Sequence, residues 1–298
     1  MLKKRDLGCG QWFDLQKATD TERAEVGTAL GFVMPNRAMK REIEMSSRVR
    51  RSDGSIVLNV PYFCDGAKES GPLGFVLTPH ALVIEHALAH QVLDDLASEI
   101  EKNPVESSTD LFLRALERIT GQLADRLEML EGEVAETTRR VFQRTGNEKK
   151  LKVVLRRVGE IGSEMARTHN SLLGLLRLAG HLEQEPPAWF DAGLLSRTDA
   201  VLGDLKSLNE FEEQLGGRVH FLLDGVLGQI NIDQNEIMKV MAVASVVGVP
   251  PTVLVGVWGM NFKHMPELEW HLGYAVALAS VCASAAIPLL WFRAKSWL

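Results

Sequence analysis

Cysteine is scarce in this sequence: 298 residues contain only Cys9, Cys64 and Cys282, with no CxxC spacing. An odd number of scattered cysteines predicts reduced thiols in a reducing compartment, and implies neither a disulfide framework nor a cysteine metal centre. The sequence also lacks a GxGxxG motif, a Walker phosphate loop and a GxSxG motif. Because no catalytic constellation is present, we predict that the protein is not an enzyme.

The N-terminus, MLKKRDLGCGQWFDL, starts with basic residues but lacks an apolar run of signal-peptide length behind them. We therefore expect the front of the chain to stay in the cytoplasm. The chain is acidic overall, with 39 Asp+Glu against 33 Lys+Arg. Nucleic-acid binding needs clustered basic residues that release counterions from phosphates, so this balance argues against a nucleic-acid partner and favours a surface that meets cations.

Charged residues are absent from two stretches near the C-terminus, residues 240–262 and 272–292. Each is long enough to cross the roughly 30 Å hydrocarbon layer, which takes about 20 residues. The alternative is a pair of buried core helices, but soluble helices of that length normally carry a polar stripe. The sequence therefore predicts two membrane-spanning helices, and with them a lipid environment for this part of the chain.

The charges beside the two stretches predict their orientation. Arg293 and Lys295 follow the second stretch without an acid, whereas the connecting hairpin has Lys263 against Glu267 and Glu269. The positive-inside rule places the tail, residues 293–298, in the cytoplasm and the hairpin, residues 263–271, outside. With a first span at 237–262 and a second at 272–292, the N-terminal part is then cytoplasmic too, at the inner membrane of the cell.

Residues 1–100 predict a small cytoplasmic α/β domain. The segments QWFDL, REIEMSSRV, SIVLNVPYF and GFVLTPHALVIEH are typical of strands, the last folding as a hairpin about Thr78. Residues 20–31 predict a helix with Asp20 as its N-cap and a glycine at its end. His86 and His90 are spaced to share a helix face as metal ligands. Without a third ligand nearby, solvated surface histidines are favoured instead.

Residues 101–236 predict long amphipathic helices. Leu116, Leu123, Leu130 and their neighbours recur at spacings of 3 and 4, as on one helix face. No proline lies between Pro187 and Pro250, so one helix is predicted from about residue 194 to 258, on the order of 95 Å long. This stalk runs directly into the first span.

One stripe of α-helical spacing along the stalk and first span carries polar and small residues instead of uniform apolar ones. Its members are Asp224, Asn235, Met238, Met241, Ser245, Val249, Thr252 and Gly256. Such a stripe is typical of a contact between membrane helices, which approach closely at small and hydroxyl residues. It would also suit a pore lined by several copies, because two spans from one chain cannot enclose a water-filled path. Rings of neutral oxygens fit a hydrated cation such as Mg²⁺, which releases its water reluctantly.

A specific motif covers the end of the first span and the start of the hairpin: GMNF at residues 259–262, followed by MPEL at 265–268. On this motif, the sequence closely resembles the CorA family of divalent-cation channels. Trp258 stands where that family usually has tyrosine. The related ZntB proteins share Gly-Met-Asn but have a different following loop, so MPEL favours the magnesium branch.

The resemblance implies a funnel-shaped homopentamer whose stalk helix becomes the pore-lining first span, with the second span at the periphery. It implies that Gly259, Met260 and Asn261 form the selectivity site, where the Asn261 ring binds hydrated Mg²⁺. It further implies pore positions at Asn235, Thr252 and Gly256. Asp224 would form an acidic ring at the inner end of the pore, and Met238 and Met241 would form an apolar gate. Glu267 and Glu269 are expected to attract cations at the outer mouth.

The function implied is passive, gated transport of Mg²⁺, with Co²⁺ and Ni²⁺ as further candidate ions, closed when cytoplasmic Mg²⁺ bridges acidic groups of neighbouring subunits. The positions of those regulatory groups do not follow from the sequence. Two alternatives stay open: a Zn²⁺ transporter of the ZntB-like branch, and a membrane-tethered scaffold or sensor that carries no ion. One departure from the family is the tail, whose only cations are Arg293 and Lys295, where the family is often strongly basic.

Overall fold

The computed structural model of the chain describes residues 2–8, 10–31, 34, 49–52, 54–63, 70–142, 148–260, 265, 270–295 and 297. By their contacts the residues form two compact units. One consists of Met1–Gln143 with Val153–Leu223, and the other of Arg144–Lys152 with Asp224–Leu298.

Six strands form a sheet at the centre of the first unit among the described residues: β1 Leu2–Asp6, β2 Gln11–Gln16, β3 Val49–Ser52, β4 Ser55–Phe63, β5 Ser70–Leu77 and β6 Ala81–His86. Their order in the sheet is β1-β2-β6-β5-β4-β3. Of the neighbouring pairs in this order, β2 and β6 are parallel and the other four are antiparallel.

Three predicted strand segments are confirmed, and the first, QWFDL, forms residues 11–15 of β2. β4 covers the predicted SIVLNVPYF segment, and its alternate residues Ile56, Leu58 and Val60 are buried. β5 and β6 form the predicted hairpin, in which the Ala81 N–H donates to the Thr78 hydroxyl at 2.9 Å and closes the turn. Most of the REIEMSSRV segment lies outside the described residues.

Helix α1, Asp20–Leu30, ends as predicted, with Gly31 in the left-handed conformation (φ 73°) that favours glycine. The prediction of Asp20 as its N-cap is wrong. Thr19 is the cap: its hydroxyl accepts from the Glu22 N–H at 3.2 Å, and Glu22 accepts from the Thr19 N–H at 2.7 Å. This reciprocal capping box satisfies two N–H groups at once, whereas Asp20 already lies within the helix.

Long helices account for most of the remaining chain. They are α2 Gln91–Lys102, α3 Ser108–Phe142, α4 Glu148–Gln184, α5 Ala192–Trp258 and α6 Gly273–Ala294. The apolar series predicted on α3 is buried, with Leu116, Leu123 and Leu130 each no more than 2% exposed. Leucines of α2 to α5 pack in one core with a face of the sheet, while α1 covers part of the other face through Val26.

Two helices in the described residues are long and apolar enough to cross a membrane, α5 and α6. The single helix predicted from about residue 194 to 258 is confirmed as α5, whose 67 residues extend about 100 Å. Within the apolar window of each helix only 6% of the residues are buried. The predicted fold class is confirmed: an α/β N-terminal domain, long helices, and two apolar helices at the C-terminal end.

Candidate ion pathway

The polar stripe predicted along the stalk and first span lies on a single helix, α5, and its side chains are exposed. The exposed fractions of Met238, Met241 and Val249 are 59%, 66% and 57%. The other members of the stripe are also exposed: Asp224, Asn235, Ser245, Thr252 and Gly256. No neighbouring segment of the chain therefore covers this face of α5 in the described structure.

The opposite face of the first span is partly covered. Its half-buried or buried positions recur at spacings of 3 and 4: Val243, Val247, Pro250, Pro251, Leu254 and Trp258. On α6 the same period appears at Gly273, Ala277, Val281, Ala285, Pro288 and Phe292. One cavity is lined by Trp258 together with Gly273 and Ala277, so α5 and α6 are neighbours at that end. These matching faces indicate that α6 packs behind α5.

The covered face and the polar stripe lie nearly opposite each other around α5. Ser245 is two residues from Val247, and Thr252 is two residues from Leu254. Because the helix has 3.6 residues per turn, two residues subtend about 160° around its axis. The stripe is therefore not the surface through which one chain packs its own two spans. A contact between helices of the same chain, one interpretation of such a stripe, does not account for it.

The hydroxyl groups of the stripe have a defined hydrogen-bond state. Ser245 Oγ donates to the Met241 carbonyl at 2.9 Å, and Thr252 Oγ1 donates to the Gly248 carbonyl at 2.8 Å. Each hydroxyl has one proton and two acceptor lone pairs. Because the proton is directed into the helix, each hydroxyl oxygen can accept hydrogen bonds from outside the helix. Such acceptors suit the water shell of a cation.

Polar groups continue along α5 before the apolar run begins. Asp224 and Asn235 are exposed, and Gln229 Nε2 donates to Asp233 Oδ1 at 3.2 Å on the adjacent side. Among the described residues, no three His, Cys, Asp or Glu side chains are grouped so that they could hold a metal ion. The oxygen groups of one chain are thus distributed along the helix rather than gathered into one cage.

At its last turn, α5 ends at Trp258 and leads directly into the predicted selectivity motif. The Gly259 N–H donates to the Val255 carbonyl at 2.9 Å, and a Cβ at this position would lie 3.1 Å from the same carbonyl oxygen. Glycine therefore permits the close approach. Met260 is 49% exposed. Asn261, Glu267 and Glu269, to which the sequence assigned ion-binding and cation-attracting roles, lie outside the described residues.

The two histidines considered as metal ligands occupy different surroundings from those predicted. His86 ends β6 and His90 precedes α2, so they do not share a helix face. Neither is a solvated surface residue, since the exposed fractions are 5% and 3%. Both interpretations of this pair are wrong because β6 pairs with strands on both sides and is buried along its whole length.

His86 belongs to a buried polar cluster that the sequence did not reveal. Its Nε2 lies 2.7 Å from Asp14 Oδ1, and its Nδ1 faces the Leu88 carbonyl oxygen. The His90 ring packs at a tilted angle against the rings of His86 and Tyr62, with 5.1 Å between ring centroids in each pair. Burial, together with the nearby His86, lowers the pKa of His90 to about 4, against a smaller opposing effect of Asp14.

Comparison with known proteins places this architecture in a family. A family model described as "CorA-like Mg2+ transporter protein" matches residues 10–294. The chain is 29% identical over 297 residues to the magnesium transport protein CorA of Escherichia coli K12, covering 96% of this chain and 92% of that protein.

Solved structures agree in fold. The complete CorA magnesium transporter of Methanocaldococcus jannaschii matches with a TM-score of 0.79 and 18% identity, covering 97% of this chain and 92% of that one. The full-length CmaX protein matches with a TM-score of 0.70 and 14% identity, covering 97% and 89%. At these identities the likeness concerns the fold alone. Because the family model covers nearly all of the sequence, the chain belongs to the CorA family of Mg²⁺-transporter-like proteins.

Proposed function

We propose that the protein transports Mg²⁺ passively across the inner membrane through a pore lined by α5. The observation that carries this proposal is the uncovered stripe of polar and small residues on α5, opposite the face that packs against α6. Membership in the CorA family supports the same conclusion. The magnesium transport protein of Escherichia coli, similar along nearly its whole length, supports Mg²⁺ as the cargo.

The pathway requires several copies of the chain, because two helices cannot surround water. With the stripe facing a common axis, each of its residues becomes a ring, and α6 takes the outer position against lipid. We infer a homopentamer, the assembly that the CorA resemblance implies. In this arrangement the described stripe positions line the pore: Asp224, Asn235, Met238, Met241, Ser245, Val249, Thr252 and Gly256.

The chemistry of this lining suits an ion that keeps its water. Mg²⁺ dehydrates reluctantly and binds through few direct protein ligands. Ser245 and Thr252 present acceptor oxygens, and Asn261 supplies amide oxygens at the outer mouth, beside Gly259 and Met260. Glu267 and Glu269 of the external loop draw cations toward this ring. A divalent ion moving down 100 mV releases roughly 4.6 kcal/mol, twice the value for one elementary charge, so no nucleotide is needed.

Gating is assigned to the apolar part of the stripe. Met238 and Met241 are both exposed on the pore-facing side of α5, where rings of methionine would form a constriction that excludes water. Cytoplasmic Mg²⁺ closes the pore by bridging acidic groups of neighbouring subunits. Both termini lie in the cytoplasm, residues 263–271 form the external loop, and Co²⁺ and Ni²⁺ are further transported ions.

The experiment is a flux assay in proteoliposomes that compares Mg²⁺, Co²⁺, Ni²⁺ and Zn²⁺ under an imposed inside-negative potential. We expect Mg²⁺ influx with the unaltered protein and a large loss with Asn261→Ala. The matched control is Asn209→Ala, a half-buried asparagine earlier on the same helix and far from the hairpin in sequence, which should retain the flux.

Two results would reject the proposal. Absence of flux for every ion would favour a membrane-tethered scaffold or sensor, and Zn²⁺ flux without Mg²⁺ flux would favour a ZntB-like transporter. Equal flux through the Asn261→Ala variant would remove Asn261 from the selectivity site while leaving transport itself in place.

A further inference from the structure

A cavity of about 390 Å³ lies beside the end of α5 and the start of α6. Its lining among the described residues is Trp258, Met265, Trp270, His271, Gly273, Tyr274, Val276 and Ala277. It is separate from the polar stripe, because Trp258 lies on the α6-facing side of α5. The volume falls within the range of small-molecule sites in proteins, roughly 300–1,000 Å³.

The depth of this cavity follows from the two apolar helices. Trp258 is the last residue of α5 and Gly273 is the first of α6, so the end of one helix and the start of the next lie on the same side of the membrane. Tryptophan and tyrosine concentrate at the level of lipid headgroups, and this cavity has three such residues. It therefore lies at the boundary between hydrocarbon and headgroups, on the external side in the proposed orientation.

The lining has the chemistry of an amphipathic ligand rather than of an ion. Among the described lining residues none is an acid, a lysine or an arginine. Aromatic rings, a methionine and the small residues on α6 give an apolar body. The indole N–H groups, the Tyr274 hydroxyl and the His271 ring give polar tips, which are the groups that aromatic side chains direct toward an interface.

The cavity is also open to the surroundings of the helices. Tyr274 is 83% exposed and Trp270 is 56% exposed. At this depth the molecule that approaches from outside the protein is a membrane lipid, whose apolar chain and polar ester region match the apolar body and polar tips of the lining.

We propose that this cavity binds an acyl chain of an outer-leaflet phospholipid, with the ester and headgroup region beside Trp270 and His271. The chain packs between Trp258 and the small residue Ala277. Because Trp258 immediately precedes Gly259, the bound lipid contacts the helix end from which the Gly-Met-Asn motif continues. The assignment to the outer leaflet rests on the orientation given with the proposed transport function, whereas lipid binding in this cavity does not.

The test uses the full protein in lipid nanodiscs that contain a phospholipid with a photoactivatable acyl chain. After illumination, labelled residues are located by peptide mass spectrometry. We expect labelling concentrated on the peptides that contain Trp258, Trp270 and Tyr274. Ala277→Leu, which fills the cavity, should lower this labelling about tenfold, corresponding to about 1.4 kcal/mol of binding.

The matched control is Ala283→Leu, the same change at an exposed position of α6 outside the cavity, which should leave the labelling unchanged. Tyr274→Ala, which removes one wall without adding bulk, should also lower it, and oligomer size by gel filtration verifies assembly of each variant. Uniform labelling along α6, or unchanged labelling in both cavity variants, would overturn the proposal. A third result would also overturn it: no labelling of the cavity peptides, together with crosslinking of the Tyr274→Cys variant to a second copy of the chain. Another subunit would then fill the cavity. None of these readouts depends on ion flux.

Discussion

Arg197 Nη1 on α5 lies 2.6 Å from Asp110 Oδ1 on α3, where the carboxylate also receives Arg114 Nε at 3.2 Å and the Glu106 N–H at 3.1 Å. The Asp110 side chain is only 7% exposed. Burial alone would raise the pKa of Asp110, but the hydrogen bonds from Arg197, Glu106 and Arg114 outweigh it and hold the pKa below its ordinary value. This pair joins the stalk helix to the helix beside it in the first unit.

Removing the stalk partner should destabilise the soluble part. Arg197→Ala takes one donor from the buried Asp110 carboxylate, which costs about 1–3 kcal/mol of unfolding free energy. It also breaks the more exposed pair with Glu117, which contributes below about 1 kcal/mol. The control is Arg218→Ala on the same helix, whose partner Glu131 lies on the same neighbouring helix but in an exposed pair, so its loss should stay below about 1 kcal/mol. Thermal unfolding of the detergent-solubilised protein measures both. Equal shifts would show that burial of Asp110 adds nothing.

The buried His90 should make stability depend on pH in a defined window. Its pKa is lowered from 6.5 to about 4, so between these values the unfolded chain binds a proton that the folded chain does not. Stability is therefore full above pH 6.5 and falls as the pH drops toward 4, by up to roughly 3 kcal/mol. Unfolding midpoints measured across this range test it. His90→Phe should flatten the slope, whereas His80→Phe, at an exposed turn, should leave it in place.

One glycine of α4 is required by close packing. A Cβ at Gly174 would lie 2.5 Å from Val60 Cγ1 and 2.8 Å from Pro61 Cδ on β4. Gly174→Ala should therefore destabilise the protein by about 1–3 kcal/mol through overpacking. Gly159→Ala, in the same helix but with nothing within 4 Å of the added Cβ, should stabilise it by up to about 1 kcal/mol. The opposite signs, read from unfolding midpoints, separate packing from helix propensity; two shifts of the same sign would contradict the assignment.

The elements that could be predicted are those with a strong period or a long uniform composition. The alternation in β4, the 3.6-residue period of α3 and the charge-free length of both spans each determined one structure. The surroundings of His86 and His90 could not be predicted, because an i, i+4 spacing places two residues on one face only if the segment between them is helical. Here pairing of β6 on both sides overrides the local pattern.

The sequence predicted which face of the stalk and first-span helix carries the polar stripe, but not what that face contacts. An apolar helix in a membrane has no polar side to mark its outer surface, so the sequence left two interpretations of the stripe open. On the opposite side of α5, Val243 is buried and Leu254 is half-buried, which distinguishes the face that packs against the second span of the same chain from the uncovered stripe. This information lies in packing between α5 and α6, which no local pattern contains. The Thr19 cap is a similar case, since Asp20 beside it is an equally good capping residue by type.

The proposed pore face can be tested one residue at a time with cysteine. In a chain whose three native cysteines are replaced, Ser245→Cys and Thr252→Cys should react with a water-soluble methanethiosulfonate reagent about tenfold faster than Val247→Cys and Leu254→Cys. A thiol reacts as the thiolate, which forms in water and not against lipid or another helix. Each control lies only two residues from its test position, so the two have nearly the same depth in the membrane. They point about 160° apart around the same helix. Fast reaction at Val247 and Leu254, or none at Ser245 and Thr252, would show that the stripe is a contact between helices and not the lining of a pore.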